Sequence, residues 1–166
     1  MPRRASARPH AAVSGLGVYI FSEGQWDRFY GESNPELAGG FGCAALWRVV
    51  AHPEEDKFYA GSFGRRTGGS NSAGRTTKRF TKSNSILQSA GAAGADRTAI
   101  GGMAFDQDNN LWICNYSAES PIAVLKADGT PRNFSAAPAN NRLQVVVDNS
   151  GYKWFVIGFQ RRRTRI

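Results

Sequence analysis

Three oxygen-bearing side chains, Asp106, Asp108 and Asn110, alternate along the sequence with the spacing of the first three ligands in a calcium-binding loop. Such a loop requires Gly at its sixth position and a bidentate Glu at its twelfth, where this chain has Leu111 and Ser117. Aspartate and asparagine oxygens also accept hydrogen bonds from backbone N–H groups in turns. The pattern therefore favours a turn between two strands, with calcium binding as the weaker alternative.

A row of aromatic residues is the second feature that could bind a ligand. Tyr59, Trp112 and Trp154 occupy the same place in successive similar segments, and aromatic rows of this kind can bind sugars. The same regularity is also expected of rings that pack between repeated units, and we favour that interpretation. Trp26 and Trp47 lie in less regular contexts, and of these two Trp26 is the better candidate for exposure.

The chain shows no pattern typical of an enzyme active site. His10 lies in a basic segment and His52 precedes a proline, and neither has a Cys, Asp or Ser at catalytic spacing. Cys114 is expected to pack as a small apolar residue, and the sequence leaves open whether it pairs with Cys43. Walker, H-E-x-x-H and G-x-S-x-G motifs are absent from the sequence. We therefore predict a protein without catalytic residues, cofactor or resident metal.

The positive charge of the chain is concentrated in a few segments. The formal net charge is +8, and most of the 21 Lys and Arg residues lie in 1–10, 65–82 and 161–165, which contain no Asp or Glu. These segments, two tails and one insert, lack apolar periodicity, so we expect disordered segments rather than basic arms for nucleic acid. Nucleic-acid binding is therefore not the function that we expect. The first 17 residues have no continuous apolar core, and no run of eighteen apolar residues occurs, so neither a signal peptide nor a spanning helix is predicted.

Internal repeats organise the rest of the chain. The segment 100–113, IGGMAFDQDNNLWI, resembles the segment 143–156, LQVVVDNSGYKWFV. Asp106 and Asp148 lie 42 residues apart in the sequence, and so do Trp112 and Trp154. A second unit, GVYIFSEGQWDRF at 17–29, resembles IAVLKADGTPRNF at 122–134. The terminal aromatic residues of this second unit recur at similar intervals, at Phe29, Phe80 and Phe134.

Each unit has the pattern of two short strands joined by a tight turn. Turn dipeptides such as Asp128-Gly129 are flanked by β-branched and aromatic residues. One full period predicts four strands, at 100–105, 110–115, 121–126 and 131–135. Four short antiparallel strands in 40 to 50 residues are typical of a propeller blade, whereas a β-sandwich, the alternative, does not require self-similar segments.

The predicted fold class is all-β. We predict a β-propeller fragment of about three four-stranded blades, which is incomplete because closed propellers have four to eight blades. The segment 17–160 is assigned to the partial propeller, between basic tails at 1–16 and 161–166. Its predicted parts are a half blade at 17–35, a blade at 45–82 with an irregular insert at 64–76, a blade at 99–136 and a half blade at 142–158.

The segment 100–113 resembles the two-component-regulator propeller repeat, in which an apolar strand is followed by Asp, a turn and Leu-Trp-Val. Together with AHPEEDKFYAGSFG at 51–64 and NLWICNYSAESPIAVLKADGT at 110–130, the chain more closely resembles the β-propeller of PorZ-like proteins of the type IX secretion apparatus of Bacteroidetes-type bacteria. The resemblance covers roughly 17–64 and 80–160 and fails in the three basic segments.

That resemblance implies a non-enzymatic module at the cell surface or in the periplasm, which binds a protein or glycan partner and is linked to delivery of anionic lipopolysaccharide. The alternative is the periplasmic ligand-sensing propeller of a hybrid histidine kinase, which a kinase encoded downstream would favour. An arc of blades leaves apolar faces and strand edges uncovered, so we also expect the isolated chain to self-associate.

Overall fold

Twelve β-strands make up the regular structure of the computed structural model, which describes residues 18–29, 46–62, 70–73, 76–91, 98–135 and 141–158. The strands are β1 Val18–Ser22, β2 Gln25–Phe29, β3 Leu46–Ala51, β4 Lys57–Ser62, β5 Ser70–Ala73, β6 Thr76–Arg79, β7 Ile100–Phe105, β8 Leu111–Asn115, β9 Ile122–Leu125, β10 Pro131–Phe134, β11 Arg142–Val147 and β12 Lys153–Ile157. The predicted all-β class is confirmed. No helix in the described ranges has the length and apolar character needed to span a bilayer.

Four antiparallel sheets are built from these strands. Strands β3–β6 form sheet I and strands β7–β10 form sheet II, each with its strands in sequence order. The N-hairpin (β1–β2) and the C-hairpin (β11–β12) are two-stranded in the described part of the chain. Within each sheet, every strand pairs with the next along the chain, which is the meander expected of propeller blades.

Glycines with positive φ close the turns of three strand pairs. Gly24, Gly129 and Gly151 have φ of 80°, 81° and 83°. They lie in the turns that follow β1 in the N-hairpin, β9 in sheet II and β11 in the C-hairpin. Only glycine adopts this conformation without a steric penalty from Cβ. The predicted turn dipeptides therefore lie in turns.

Sheet I contains a strand where the sequence predicted an irregular insert. Within the predicted insert 64–76, Ser70–Ala73 pairs with β4 and with β6, so that Tyr59 lies opposite Asn71. The prediction of irregular structure is wrong there, because backbone hydrogen bonds to two neighbouring strands stabilise a segment that has no apolar alternation. Residues 63–69 and 74–75 lie outside the described part.

The first strands of successive sheets lie side by side. Strand β7 contacts β3 and β4 on one side and β11 on the other. The backbones approach closely at Gly102, where a Cβ would lie 2.6 Å from the Cα of Gln144. Sheet I, sheet II and the C-hairpin are therefore stacked face to face in chain order, and we call the face toward the preceding sheet the rear face and the face toward the next sheet the forward face.

The core lies between sheet I and sheet II. Leu87, Ile100 and Ala123 are buried there, and Met103 and Ile113 pack against them. A second set of contacts fixes the connection between the sheets: the buried side chain of Asn115 accepts a hydrogen bond from Gln88 N at 2.6 Å and donates to Gln88 O at 3.1 Å. Burial of these apolar side chains, at about 25 cal/mol per Å², and satisfied buried polar groups stabilise the stack.

Both predicted basic tails, 1–16 and 161–166, lie outside the described residues, and so do Cys43 and His10. The question of a Cys43–Cys114 disulfide, which the sequence leaves open, therefore falls outside the described part of the chain. Cys114 itself is fully buried in β8, in agreement with its expected role as a small apolar residue.

Candidate functional site

A turn between β7 and β8 is organised by the carboxylate of Asp106. Its Oδ1 accepts hydrogen bonds from the backbone N–H groups of Asp108 at 3.1 Å and Asn110 at 2.9 Å. Its Oδ2 accepts one from Trp112 Nε1 at 2.7 Å and another from Asn110 Nδ2 at 3.1 Å. Asn109 occupies the turn with φ of 58°, a conformation that asparagine tolerates better than most residues. One side chain thus holds both the turn and the ring.

The C-hairpin repeats this arrangement. Asp148 Oδ1 accepts hydrogen bonds from Ser150 N and Tyr152 N, both at 2.9 Å, and Oδ2 accepts one from Trp154 Nε1 at 2.7 Å. Gly151 takes the positive-φ place that Asn109 holds in sheet II. The 42-residue sequence repeat is therefore a repeat of hydrogen-bond geometry.

In sheet I, His52 occupies the place of the aspartate. Its Nδ1 accepts hydrogen bonds from Glu54 N at 3.2 Å and Glu55 N at 3.0 Å, and His52 N donates to Lys57 O at 2.9 Å. Its other ring nitrogen, Nε2, lies 3.2 Å from Glu55 Oε1. Sequence analysis missed this role because imidazole and carboxylate differ in chemical type, although both present a lone pair to backbone N–H groups.

The carboxylates of these turns are held ionised. Burial raises the pKa of Asp106, but the hydrogen bonds from Trp112 and Asn110 and the charge of Lys153 outweigh it and leave the pKa below its ordinary value. Lys153 Nζ lies 3.6 Å from Asp106 Oδ2. In the C-hairpin, the hydrogen bond from Trp154 likewise lowers the pKa of Asp148. Each carboxylate thus acts as a fixed hydrogen-bond acceptor and not as a proton donor near neutral pH.

The three oxygen-bearing residues of the calcium hypothesis make contacts of a different kind. Both carboxylate oxygens of Asp106 accept N–H groups, and Asn110 Oδ1 accepts Ala127 N at 3.2 Å. Asp108 is exposed. Within the described ranges, no group of three or more His, Cys, Asp or Glu side chains is placed to hold a metal ion. The geometry is that of the strand-to-strand turn which the sequence favoured.

In both complete sheets, an aromatic ring of the second strand packs against one near the end of the fourth. The ring centroids of Tyr59 and Phe80 lie 6.5 Å apart, and those of Trp112 and Phe134 lie 5.9 Å apart with nearly parallel planes. Trp154 is 63% exposed, so the prediction of core packing does not hold for it, because no described strand lies against its face of the C-hairpin.

Neighbouring turns also contact one another. Lys153 Nζ lies 5.0 Å from the centroid of the Trp112 ring, and Gln107 Nε2 donates to Asn149 O at 2.6 Å. On the other side of sheet II, the Phe105 ring meets His52 edge-on at 4.9 Å. The three turns therefore form one continuous edge of the molecule.

A cleft of about 510 Å³ opens between sheet I and sheet II. Its lining is mostly apolar and includes a few polar side chains; the lining residues are Tyr59, Lys78, Phe80, Asn84, Ser85, Ile86, Leu87, Ile100, Leu111, Ile113, Leu125, Gly129 and Pro131. Lys78 is exposed, and its Nζ lies 5.4 Å from the centre of the Phe80 ring. The volume is within the range usual for small-ligand sites. Sequence analysis did not identify this cleft, because its walls come from two repeats that only packing brings together.

Two predicted aromatic positions lie in the hairpin at the start of the described residues. Trp26 is 68% exposed, in agreement with its expected exposure, and its ring lies 5.0 Å from that of Phe21. Phe29 ends β2 and pairs with Val18, as Phe134 pairs with Ile122 in sheet II.

A scan against protein-family models finds no matching family, and a search of curated proteins finds no significant match. Among solved structures, the chain is similar to PorZ, an essential bacterial surface component of the type IX secretion system of Porphyromonas gingivalis. The superposition has a TM-score of 0.72 at 19% sequence identity and covers 87% of this chain and 19% of PorZ. The extracellular domain of a hybrid two-component system from B. thetaiotaomicron aligns with a TM-score of 0.39 at 14% identity, over 86% of this chain and 23% of that domain's chain.

The similarity to PorZ confirms the β-propeller fold that the repeats predicted. Sheet I and sheet II are two propeller blades of this chain. The chain spans about a fifth of the length of PorZ.

Proposed function

We propose that the chain is a non-enzymatic β-propeller module at the bacterial surface, which binds an anionic glycan such as lipopolysaccharide during type IX secretion. The observation that carries the proposal is the cleft between sheet I and sheet II, in a fold similar to that of a type IX surface component. The structural use of the Asp106 and Asp148 carboxylates as hydrogen-bond acceptors favours binding over catalysis.

The chemistry of the cleft fits an anionic, partly apolar ligand. Lys78 is the only charged residue among the described residues that line it, and it stands beside the face of Phe80. An ammonium group pairs with phosphate or carboxylate groups, and an aromatic face packs against the C–H groups of a sugar ring. Leu111 and Ile113 continue the lining as an apolar wall, which suits the less polar part of an amphipathic ligand.

Binding of purified anionic lipopolysaccharide to the immobilised chain tests the proposal, with neutral dextran as the reference ligand. We expect salt-sensitive binding that Lys78→Ala weakens about tenfold, which corresponds to about 1.4 kcal/mol. Lys82→Ala removes the same charge from an exposed residue that does not line the cleft and should leave the affinity unchanged.

Equal loss in both variants would show that net charge alone attracts the ligand and would reject the cleft as the site. Failure of the chain to bind either polysaccharide, together with capture of a secretion-system protein, would replace the glycan with a protein partner.

A further inference from the structure

A second cavity, of about 90 Å³, lies between the forward face of sheet I and the rear face of sheet II, beside the edge that the turns form. We call it the side pocket. Sheet I contributes Lys57 and Tyr59 to its walls, and the segments of sheet II contribute Phe105, Asn109 and Lys126. This lining is more polar than that of the cleft, so the two cavities suit different parts of a ligand.

The side pocket adjoins the cleft. Four residues line both cavities: Tyr59, Leu111, Leu125 and Gly129. The Tyr59 ring centroid lies 6.5 Å from that of Phe80, which lines the cleft, and 5.8 Å from that of Phe105, which lines the side pocket. The two cavities therefore meet at the Tyr59 ring, and one ligand can occupy both.

Lys57 brings a positive charge to the side pocket from sheet I. Its side chain is 19% exposed, and its Nζ lies 2.6 Å from Glu55 Oε1, which also lies 3.2 Å from His52 Nε2. Glu55 does not line the pocket, so its carboxylate offsets part of the Lys57 charge from outside the cavity. An ammonium group has three N–H donors, so the pair with Glu55 leaves Lys57 able to donate to a ligand as well.

Lys126 brings a second positive charge, from the residue that follows β9. It is exposed. The hydrogen bonds from Thr130 and the charge of Lys126 lower the pKa of Asp128. Asp128 Oδ1 accepts hydrogen bonds from Thr130 N at 2.7 Å and from Thr130 Oγ1 at 2.6 Å, so this carboxylate is held within its own turn, and it does not line the pocket. The described lining of the side pocket thus contains two lysines and no carboxylate.

Asn109 adds a neutral hydrogen-bonding group to the same cavity. It is half-buried, and its φ of 58° places it in the turn that Asp106 holds. Its backbone N donates to Asp106 O at 3.1 Å, and no described residue is hydrogen-bonded to its side-chain amide. Ammonium and amide N–H groups that converge on a small cavity are the donors that a phosphate or carboxylate group requires.

We propose that the side pocket binds a second anionic group, a phosphate or carboxylate, of the ligand that occupies the cleft. This assignment rests on the proposed function, and it narrows the ligand to a glycan with anionic groups on both sides of a sugar ring. Lys78 lines only the cleft and Lys126 lines only the side pocket, so the two ammonium groups meet different anionic groups. The sugar ring between them packs on Tyr59, which lines both cavities.

Variants of Lys126 test the second group, with anionic lipopolysaccharide as the probe. We expect Lys126→Gln to weaken binding about fivefold. Lys78→Ala/Lys126→Gln should weaken it by the product of the two single effects, since contacts with separate groups contribute additively to the free energy of binding. Lys82→Gln is the matched control and should leave the affinity unchanged, because Lys82 is exposed and lines neither cavity. Full affinity in Lys126→Gln, or a double variant no weaker than Lys78→Ala, would overturn the side pocket and leave the proposed function intact.

Inorganic phosphate probes the side pocket without the glycan. In the nuclear magnetic resonance spectrum of the complete chain, the side-chain amide signal of Asn109 should shift and saturate as phosphate replaces chloride at constant ionic strength. Lys126→Gln should weaken this titration, and Lys82→Gln should not change it. Saturation by phosphate in a chain that does not bind lipopolysaccharide would support the anion site and reject the glycan as its ligand. A signal of Asn109 that does not respond to phosphate would overturn the side pocket.

Discussion

The two oxygen atoms of the Asp106 carboxylate accept hydrogen bonds from different groups in sheet II. Oδ1 of Asp106 holds the backbone of the turn, and Oδ2 holds the indole of Trp112 at 2.7 Å. A hydrogen bond to an ionised group is stronger than one between neutral groups, and its loss leaves a buried acceptor with fewer partners. The contribution of the indole N–H can therefore be separated from that of the ring.

Replacement of Trp112 by Phe removes this N–H and retains an aromatic ring that can stack on Phe134. We expect the free energy of unfolding to fall by about 1.5–3 kcal/mol, as measured by urea denaturation. Trp26→Phe is the control, since Trp26 is exposed and its substitution should change stability by less than about 0.5 kcal/mol. Equal losses in the two variants would contradict the importance of the Asp106 bond.

Acid should destabilise the protein through the same carboxylate. The pKa of Asp106 is lower in the folded state than its ordinary value, so the stabilisation is present above the unfolded pKa of about 4 and is lost as the pH falls through the folded pKa. Melting temperatures measured from pH 6 down to pH 2 should therefore decline below about pH 4. Asp106→Asn should flatten this decline.

Asp108→Asn removes the same formal charge from an exposed residue of the same turn. Its melting temperature should follow the pH profile of the unmodified chain. A flattened profile in the Asp108 variant, with a normal one in the Asp106 variant, would show that the acid-sensitive group lies elsewhere.

At the scale of elements, the spacing between blades depends on positions that have no side chain. A Cβ at Gly102 would lie 2.6 Å from backbone Cα of Gln144, whereas one at Gly61 would meet the side chain of Ile100 at 2.6 Å. Side chains move more easily than backbone. We therefore expect Gly102→Ala to lower the free energy of unfolding by about 1–3 kcal/mol, and Gly61→Ala to lower it less, in thermal and urea denaturation. A larger loss at Gly61 would contradict this ranking.

The elements differ in how well sequence predicts them. Strands β7, β8, β11 and β12 were predictable because the Asp106/Asp148 and Trp112/Trp154 spacings repeat and apolar residues flank them. Strand β5 was not, because Ser70–Ala73 lacks apolar residues and depends on the backbone of its neighbours. The aspartate turns were predictable in outline, but the exposure of Trp154 depends on what covers its sheet, which local sequence does not contain.

At the scale of the whole molecule, the side chain of Ile100 packs against both sheet I and sheet II. It is 1% exposed, packs with Leu87 of the connection and Ala123 of sheet II, and lies against Gly61 of sheet I. Removal of a buried aliphatic side chain leaves a cavity that the surrounding structure fills only in part.

Ile100→Ala should therefore lower the free energy of unfolding by about 2–5 kcal/mol, and Ile100→Val by about 0.5–1.5 kcal/mol. Because both sheets share this core, tryptophan fluorescence and far-ultraviolet circular dichroism should report one coincident transition in each variant. Two separate transitions would show that sheet I and sheet II unfold independently.

The replacement of aspartate by His52 in sheet I has a consequence for the charge of the turns. The turn requires a lone pair directed at two backbone amides, and His52 Nδ1 supplies it as Asp106 Oδ1 does. The turn of sheet I is also one residue longer, since His52 N donates to Lys57 O whereas Asp106 N donates to Asn110 O, so the same function is met by a different acceptor in a turn of different length. The charge of the turn residue can therefore differ from one copy of the repeat to the next along the edge where the turns lie. The charge at this surface can change while the strand-to-strand turn is retained.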